Sequence, residues 1–261
     1  QFVSIIGFES STKPICHGVP QGSVLGPLLF LIYINDLHQA IKHSKVYHFA
    51  DDTNLLNISK SHKEIQKQVN FDLKVLYQWL LANKISLNCD KTEIIFFHKP
   101  GDKVPSTKIK MNGHRIFPSH TIKYLGIFID ETLNGAFHCQ TLAKKLKRAN
   151  GMLCKARHYI SLEELKTLYF AIFSSHLNYG CQIWGQVTSV HNYRIFNLQN
   201  RALRIITFSD FRADSNPLYA NLEILKLRDH IALQNCMLVH DALKKVSPIC
   251  FHGYFKQSKD I

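Results

Sequence analysis

The chain has 261 residues, 46% hydrophobic and 11% aromatic, which excludes a disordered tail and allows one large or two modest domains with a true core. Its net charge of +13 points to a polyanionic partner, nucleic acid first and an acidic membrane surface second, and the excess rises from +5 in residues 1–130 to +8 in residues 131–261. Seven cysteines without any Cys-x-x-Cys pair exclude a disulfide framework and a zinc ribbon, and imply a reducing, intracellular setting for a protein that is not secreted.

The N-terminal stretch carries no secretory or transit signal, and the first residue is Gln1. The opening residues already look like the inside of a domain, so the chain is expected to be a fragment. Residues 2–8 predict a short strand, and 9–13 a polar turn. The loop His17-Gly18-Val19-Pro20-Gln21-Gly22-Ser23 mixes residues without a Cβ and residues that fix φ, so it should be a rigid backbone surface open to close approach. Ser23 can cap the helix that follows, and Pro27 suits a first helical turn. Apolar positions from 28 to 42 predict a largely buried helix. The longest apolar run, 24–34, spans about eleven residues and is broken by Gly26 and Pro27, too short to cross a bilayer.

Residues 46–58, VYHFADDTNLLNI, predict a hairpin with Asp51 and Asp52 at its tip. Two adjacent anions repel, and they gain nothing in stability from that position unless a cation is shared between them; for oxygen ligands the natural guest is Mg²⁺. Taken alone, an Asp-Asp pair in a turn is more often only a solvated turn. Ser61 and Glu64 then form a capping box ahead of Ile65, Val69, Leu73, Leu76 and Leu80, whose spacing predicts an amphipathic helix. A turn at Asn88-Cys89-Asp90-Lys91 leads to a strand over 92–98, a hairpin turn at Asn112-Gly113, and a further strand over 122–129. Strands, helices and hairpins mixed up to Asp130 predict an α+β class.

Beyond Asp130 the pattern is helical: 137–158, a second capping box at Ser161 and Glu164 running through 177, then 191–208 and 218–245. The composition shift near 131 is the expected domain boundary, and the polar end from 248 should fray. Cys236 and His240 share a helix face near Cys250 and His252, but zinc-ligand spacings are absent.

Two stretches in order, GVPQGSVLGPLLFLIYIND at 18–36 and FADD at 49–52, resemble the reverse transcriptases of non-LTR (LINE-type) retrotransposons. The likeness continues with LANKISLNCDKTEIIFF at 81–97, YLGIFID at 124–130 and LKTLYFAIFSSHLNYGCQIWG at 165–185, and so covers almost the whole chain. It implies an incomplete polymerase palm over 1–130, a mostly antiparallel sheet packed on helices, followed by an all-helical thumb over 131–209 and a helical extension over 210–261. It also implies RNA-directed DNA polymerase chemistry, in which a primer 3′-hydroxyl attacks the α-phosphate of a deoxynucleoside triphosphate. Two Mg²⁺ ions roughly 4 Å apart would neutralise the in-line transition state.

On that resemblance Asp51 is the bridging metal ligand and Asp52 its companion. Phe49 and the loop residues Pro20, Gln21, Gly22 and Ser23 lie against the templating base and incoming nucleotide, although a Ser-capped helix entry alone would explain the loop. Lys91 is a charge stabiliser or proton donor to the leaving pyrophosphate. Tyr124, Leu125 and Gly126 position the primer. Lys144, Lys145, Lys147, Arg148, Arg201 and Arg204 would contact the backbone of the RNA template and RNA–DNA duplex without sequence preference. A nuclear location is implied by the family, and no membrane role is.

The family also places an aspartate on an earlier palm strand, and residues 1–17 contain none. This chain is therefore expected to be a truncated copy with little or no activity by itself. The competing expectation is a non-catalytic remnant whose basic helices hold RNA or RNA–DNA duplex; a group II intron maturase or telomerase relative fits the 174–185 stretch less well.

Overall fold

The computed structural model describes residues 2–14, 18–19, 22–102, 106–186 and 189–256. The chain divides into two compact units, Gln1–Ile94 with Lys103–Pro118, and Ile95–Asp102 with Ser119–Ile261.

The first unit begins with the hairpin β1 (Ser4–Ile5) and β2 (Phe8–Glu9), followed by α1 (Leu25–Ile34) and α2 (Leu37–Ala40). A second hairpin, β3 (Lys45–Phe49) and β4 (Asp52–Leu56), leads into α3 (His62–Ala82), a 3₁₀ turn at Cys89–Lys91, and a third hairpin, β5 (Ile109–Met111) and β6 (His114–Ile116). Helix α3 organises this unit. Ser61 accepts the Glu64 N–H at 3.2 Å to start it, and the Asn83 side chain donates back to the Trp79 carbonyl at its end. Its buried face, Leu73, Leu76 and Leu80, belongs to a core that also holds Leu37, Ile109 and Met111. Burying side chains of this size contributes about 1.5–3 kcal/mol each.

α3 also supplies an artificial edge for β5. The Asn70 amide donates to the Lys108 carbonyl and accepts from the Lys110 N–H, and Gln66 accepts from the Lys108 N–H. These side chains satisfy backbone groups that a neighbouring strand would otherwise have to reach.

The second unit opens with the hairpin β7 (Thr121–Tyr124) and β8 (Ile127–Asp130) and continues in helices α4 (Ala136–Ala156), α5 (Leu162–Tyr169), α6 (Ser175–Asn178), α7 (Cys181–Trp184), α8 (Ser189–Ile206), α9 (Asn216–Asn221) and α10 (Leu227–Leu243). A π-helical turn, Phe170–Ser174, joins α5 to α6. The Ser161–Glu164 capping box is complete in both directions. α4 packs along α8, with the Asn150 amide donating to the Leu198 carbonyl inside the core. Gln199 binds the Tyr169 hydroxyl, the Leu225 carbonyl and the Leu227 N–H, which fixes the break between α9 and α10.

Mixed helix and short antiparallel strand pairs agree with the α+β class. Several expected elements differ. The strands form four separate two-stranded pairs among the described residues and not one sheet. The single strands predicted over 2–8 and 122–129 are each folded into a hairpin, because Ile6-Gly7 and Leu125-Gly126 take positive φ at both positions, the demand of a type I′ turn. Residues 92–98 form no ladder; only Ile94 bridges, to Pro118. The helix predicted over 218–245 breaks in two around Glu223 at φ +55°, where Ile224 turns into the core. The helix after Ser23 is not largely buried: Leu28, Leu29, Leu31 and Ile32 are exposed, and only Gly26 and Ile34 are enclosed.

Asp130 closes β8 onto α4. Its carboxylate is buried and accepts from the Thr132 N–H and hydroxyl, the Asn134 N–H and, at 2.7 Å, the Gly135 N–H. Burial alone would raise its pKa, but the bonds from Asn134, Thr132 and Gly135 outweigh it and hold the group below the ordinary carboxylate value. A lowered folded pKa gives stability that is present above about pH 4 and lost as pH falls through the folded value. Asp130→Ala is expected to cost about 2–3 kcal/mol in urea unfolding at neutral pH, since several backbone donors lose their acceptor. The gap between variant and wild type should narrow as the pH drops below 4; a pH-independent gap would contradict the assignment.

Candidate active site

The acidic pair stands where the sequence puts it. β3 and β4 pair in the register Phe49↔Asp52 and His48↔Thr53, so the chain reverses through only Ala50 and Asp51. Alternation sends Val46 and His48 to a half-buried face and Tyr47, Phe49 and Asp52 to the exposed one. Both aspartates are exposed, and neither has a hydrogen-bond or ion-pair partner among the described residues.

The turn is unlike the other three hairpin turns. Only its first residue, Ala50, has positive φ, +52°, the pattern of a type II′ turn, which normally takes glycine there. An alanine Cβ in left-handed space costs about 1 kcal/mol, and such strain persists only where the surroundings hold it.

The surroundings are at the base of the hairpin. Asp72 of α3 is fully buried, and its carboxylate accepts the backbone N–H groups of Lys42 and His43, at the entry to β3. Asn57, just past β4, donates to the His43 carbonyl, Ser44 Oγ and Gln68 Oε1. Both strands are therefore anchored beside one helix. On the half-buried face the His48 Nδ1 lies 3.1 Å from Thr53 Oγ1. Burial, helped by the neighbouring His38, pushes the His48 pKa down, so this ring is neutral and adds no cation beneath the carboxylates.

The remaining expected residues of this unit are placed elsewhere on it. Gly22 has φ +88°, and Ser23 caps α1 by accepting the Gly26 N–H at 3.0 Å. A Cβ on Gly26 would lie 2.8 Å from Ser23 Oγ and 3.1 Å from Val19, so a larger residue there would require these side chains to shift. Pro20 and Gln21 lie outside the described residues. Lys91 ends the 3₁₀ turn, exposed, with its N–H bound by Asn88 Oδ1. No hydrogen bond or ion pair joins Gly22, Ser23, Lys91 and the two aspartates.

In the helical unit Tyr124 pairs with Ile127, and Leu125-Gly126 form the turn between them. Tyr179 holds that turn: its hydroxyl donates to the Leu125 carbonyl, and its ring lies against Gly126, where a Cβ would come within 3.2 Å. Gly180 has no room for a Cβ either, Ile127 being 2.3 Å away. Sequence reasoning quoted the stretch containing Tyr179 without giving it a role. The signal available was an aromatic directly before a glycine. Lys144, Lys145, Lys147 and Arg148 are all exposed on α4, as is Arg201 on α8. Arg204 is half-buried and donates its Nε–H to the Ala213 carbonyl, so part of its fork is committed to the fold.

Two adjacent free carboxylates suit a hard divalent cation in kind. Among the described residues no third His, Cys, Asp or Glu joins them in a group that could hold a metal.

Residues 1–129 match the family model described as reverse transcriptase (RNA-dependent DNA polymerase). Residues 1–129 carry a reverse transcriptase domain. The chain is 30% identical over 240 residues to the RNA-directed DNA polymerase from mobile element jockey of Drosophila melanogaster, covering 88% of this chain and 26% of that protein. The probable RNA-directed DNA polymerase from transposon X-element of the same fly is 27% identical over 243 residues, 90% of this chain and 26% of its own length. The Pol polyprotein from type-1 retrotransposable element R1 of Bradysia coprophila is 26% identical over 204 residues, 76% and 20% respectively. The chain thus spans about a quarter of the length of the curated relatives it matches. No solved structure matches it significantly. Among the described residues no helix is long and apolar enough to cross a membrane.

Two measurements test the geometry of the domain. Ala50→Gly is expected to raise stability by about 0.5–1 kcal/mol in urea unfolding by relieving the left-handed alanine, against the usual loss when glycine is introduced. Tyr179→Phe should cost about 1 kcal/mol and speed amide exchange in residues 124–127; unchanged exchange there would show that the hydroxyl does not hold the turn.

Proposed function

We propose that this chain is part of the RNA-directed DNA polymerase of a non-LTR retrotransposon, with residues 1–130 as the palm portion, 131–209 as the thumb and 210–261 as a helical extension. The observation that carries the reading is the two-residue turn presenting Asp51 and Asp52, without a protein partner among the described residues, from a hairpin anchored on α3. Asp51 and Asp52 would hold Mg²⁺, which when bound supplies charge neutralisation at the transferring phosphate.

The other roles fall to the chain's own residues. Gly22 and Ser23 would lie against the template base and incoming nucleotide, as would Phe49. Lys91 offers a cation to the pyrophosphate. Tyr124, Leu125 and Gly126, held by Tyr179, position the primer end. The exposed cations of α4, with Arg201 and Arg204, meet duplex phosphates. A nuclear site of action is what membership of the non-LTR family would imply.

A metal pair needs more carboxylate than two adjacent side chains give, and the absence of a third ligand among the described residues supports weak activity for these 261 residues alone. A missing ligand worth several kcal/mol removes orders of magnitude in rate, about tenfold per 1.36 kcal/mol. On a primed RNA template with Mg²⁺ and deoxynucleotides, the purified chain is expected to extend the primer little or not at all. Robust extension lost in Asp51→Ala would overturn the inactivity and keep the polymerase. Mn²⁺ binding followed by paramagnetic resonance should be weak and disappear in the Asp51→Asn/Asp52→Asn variant; binding that survives both changes would overturn the tip as the metal site.

A further inference from the structure

We propose that the groove between α3 and the β5–β6 hairpin is a track for the backbone of a single-stranded nucleic acid. The groove has a volume of about 550 Å³ and is lined by Asn70, Lys74, Tyr77, Gln78, Leu81, Lys110, Asn112 and Gly113. It lies wholly within the first unit, and no residue assigned above to metal, nucleotide, primer or duplex belongs to it.

Its charge is one-sided. On α3 the positions 63, 67, 70, 74, 77 and 78 fall at helical spacing along one face and read Lys, Lys, Asn, Lys, Tyr, Gln. On β5 alternation turns Ile109 and Met111 into the core and leaves Lys108 and Lys110 exposed on the other side. Among the described residues no carboxylate lines the groove. The two acidic side chains of α3 are occupied elsewhere: Glu64 accepts from Gln68, and Asp72 is buried against the Lys42 and His43 backbone. The lysines therefore face the groove without a neutralising partner in its walls.

The wall is also rigid where rigidity matters. Asn70 and Gln66 fix β5 to the helix by three hydrogen bonds of 2.8–3.0 Å, so Lys74 and Lys110 project from elements held in register. Asn112 and Gly113 turn with positive φ, and nothing lies within 4 Å above the Gly113 α-carbon where a side chain would stand, so a strand can approach the bare backbone. Cations for phosphates, a half-buried tyrosine ring for a base and amides for sugar or base edges are the parts of a single-strand site. An acidic peptide would use the lysines but leave the ring and the open backbone without a counterpart. The track extends the nucleic-acid reading above and does not depend on the metal hairpin, so Asp51→Asn should leave it unchanged while removing metal binding.

The test uses the full chain and a fluorescein-labelled oligouridylate, followed by anisotropy across a salt series. Lys74→Glu/Lys110→Glu is expected to weaken binding at least tenfold at low salt and to lower the slope of log affinity against log salt by about 1.4, two contacts at roughly 0.7 each. Should the reversal disturb folding by circular dichroism, Lys74→Gln/Lys110→Gln carries the same sign with a smaller loss. A 4-thiouridine version of the probe should crosslink to the peptide containing Tyr77, and still do so in Lys144→Glu/Lys145→Glu. Wild-type affinity and slope in a folded groove variant, or crosslinks found only on other peptides, would overturn the proposal.

Discussion

Two like charges can be held side by side at a hairpin tip only if the strands behind them are fixed by something other than the tip. Here the fixing element is α3, and the decisive contact is the buried carboxylate of Asp72 on the backbone N–H groups that lead into β3. Asn57 and Gln68 do the same for the other strand. Because these bonds are made in or beside the core, where an unmade bond leaves a buried donor unsatisfied, they resist loss far better than a surface ion pair would. The strain of Ala50 and the repulsion between Asp51 and Asp52 are borne by that base.

The helical unit repeats the arrangement with different chemistry. The Leu125-Gly126 turn is held by Tyr179, and the hairpin behind it by Asp130, the last residue of β8, which gathers the loop into α4, and by His138, whose Nδ1 accepts the Phe128 N–H. For that bond His138 must be unprotonated on Nδ1, and burial, with Lys145 nearby, lowers its pKa accordingly. The chain entering this unit at 95–102 is pinned at the same place. His98 donates its N–H to the Glu131 carbonyl, and Glu131 also sits 2.8 Å from His120.

Charge is distributed by what each cation touches, not by the total. Lys144, Lys145, Lys147 and Arg148 stand free on α4, whereas Arg204 spends part of its guanidinium on the Ala213 carbonyl. Lys74 of α3 and Lys110 of β5 line a groove that holds no carboxylate among the described residues. A net excess of +13 would be equally compatible with scattered, screened charges; the helical and strand periodicities gather them.

What the sequence determined by itself was local: the hairpin around 51, the I′ turn at Asn112-Gly113, the capped starts of α3 and α5, and the helical second half. Each depends on residues within a few positions of one another, through alternation, caps and turn chemistry. The family, too, was legible, because its motifs keep their order along the chain. Tertiary structure decided the rest. Leu125-Gly126 became a turn, not a strand interior, with Tyr179 more than fifty residues away holding it, and of Thr92 to His98 only Ile94 makes a bridge, to Pro118. Asp72 and Asn70 read as ordinary polar positions on a helix until burial and the strand beside them gave each a backbone to hold. Such roles are set by which distant groups are left without a hydrogen-bond partner, and that is fixed only when the chain has folded back on itself.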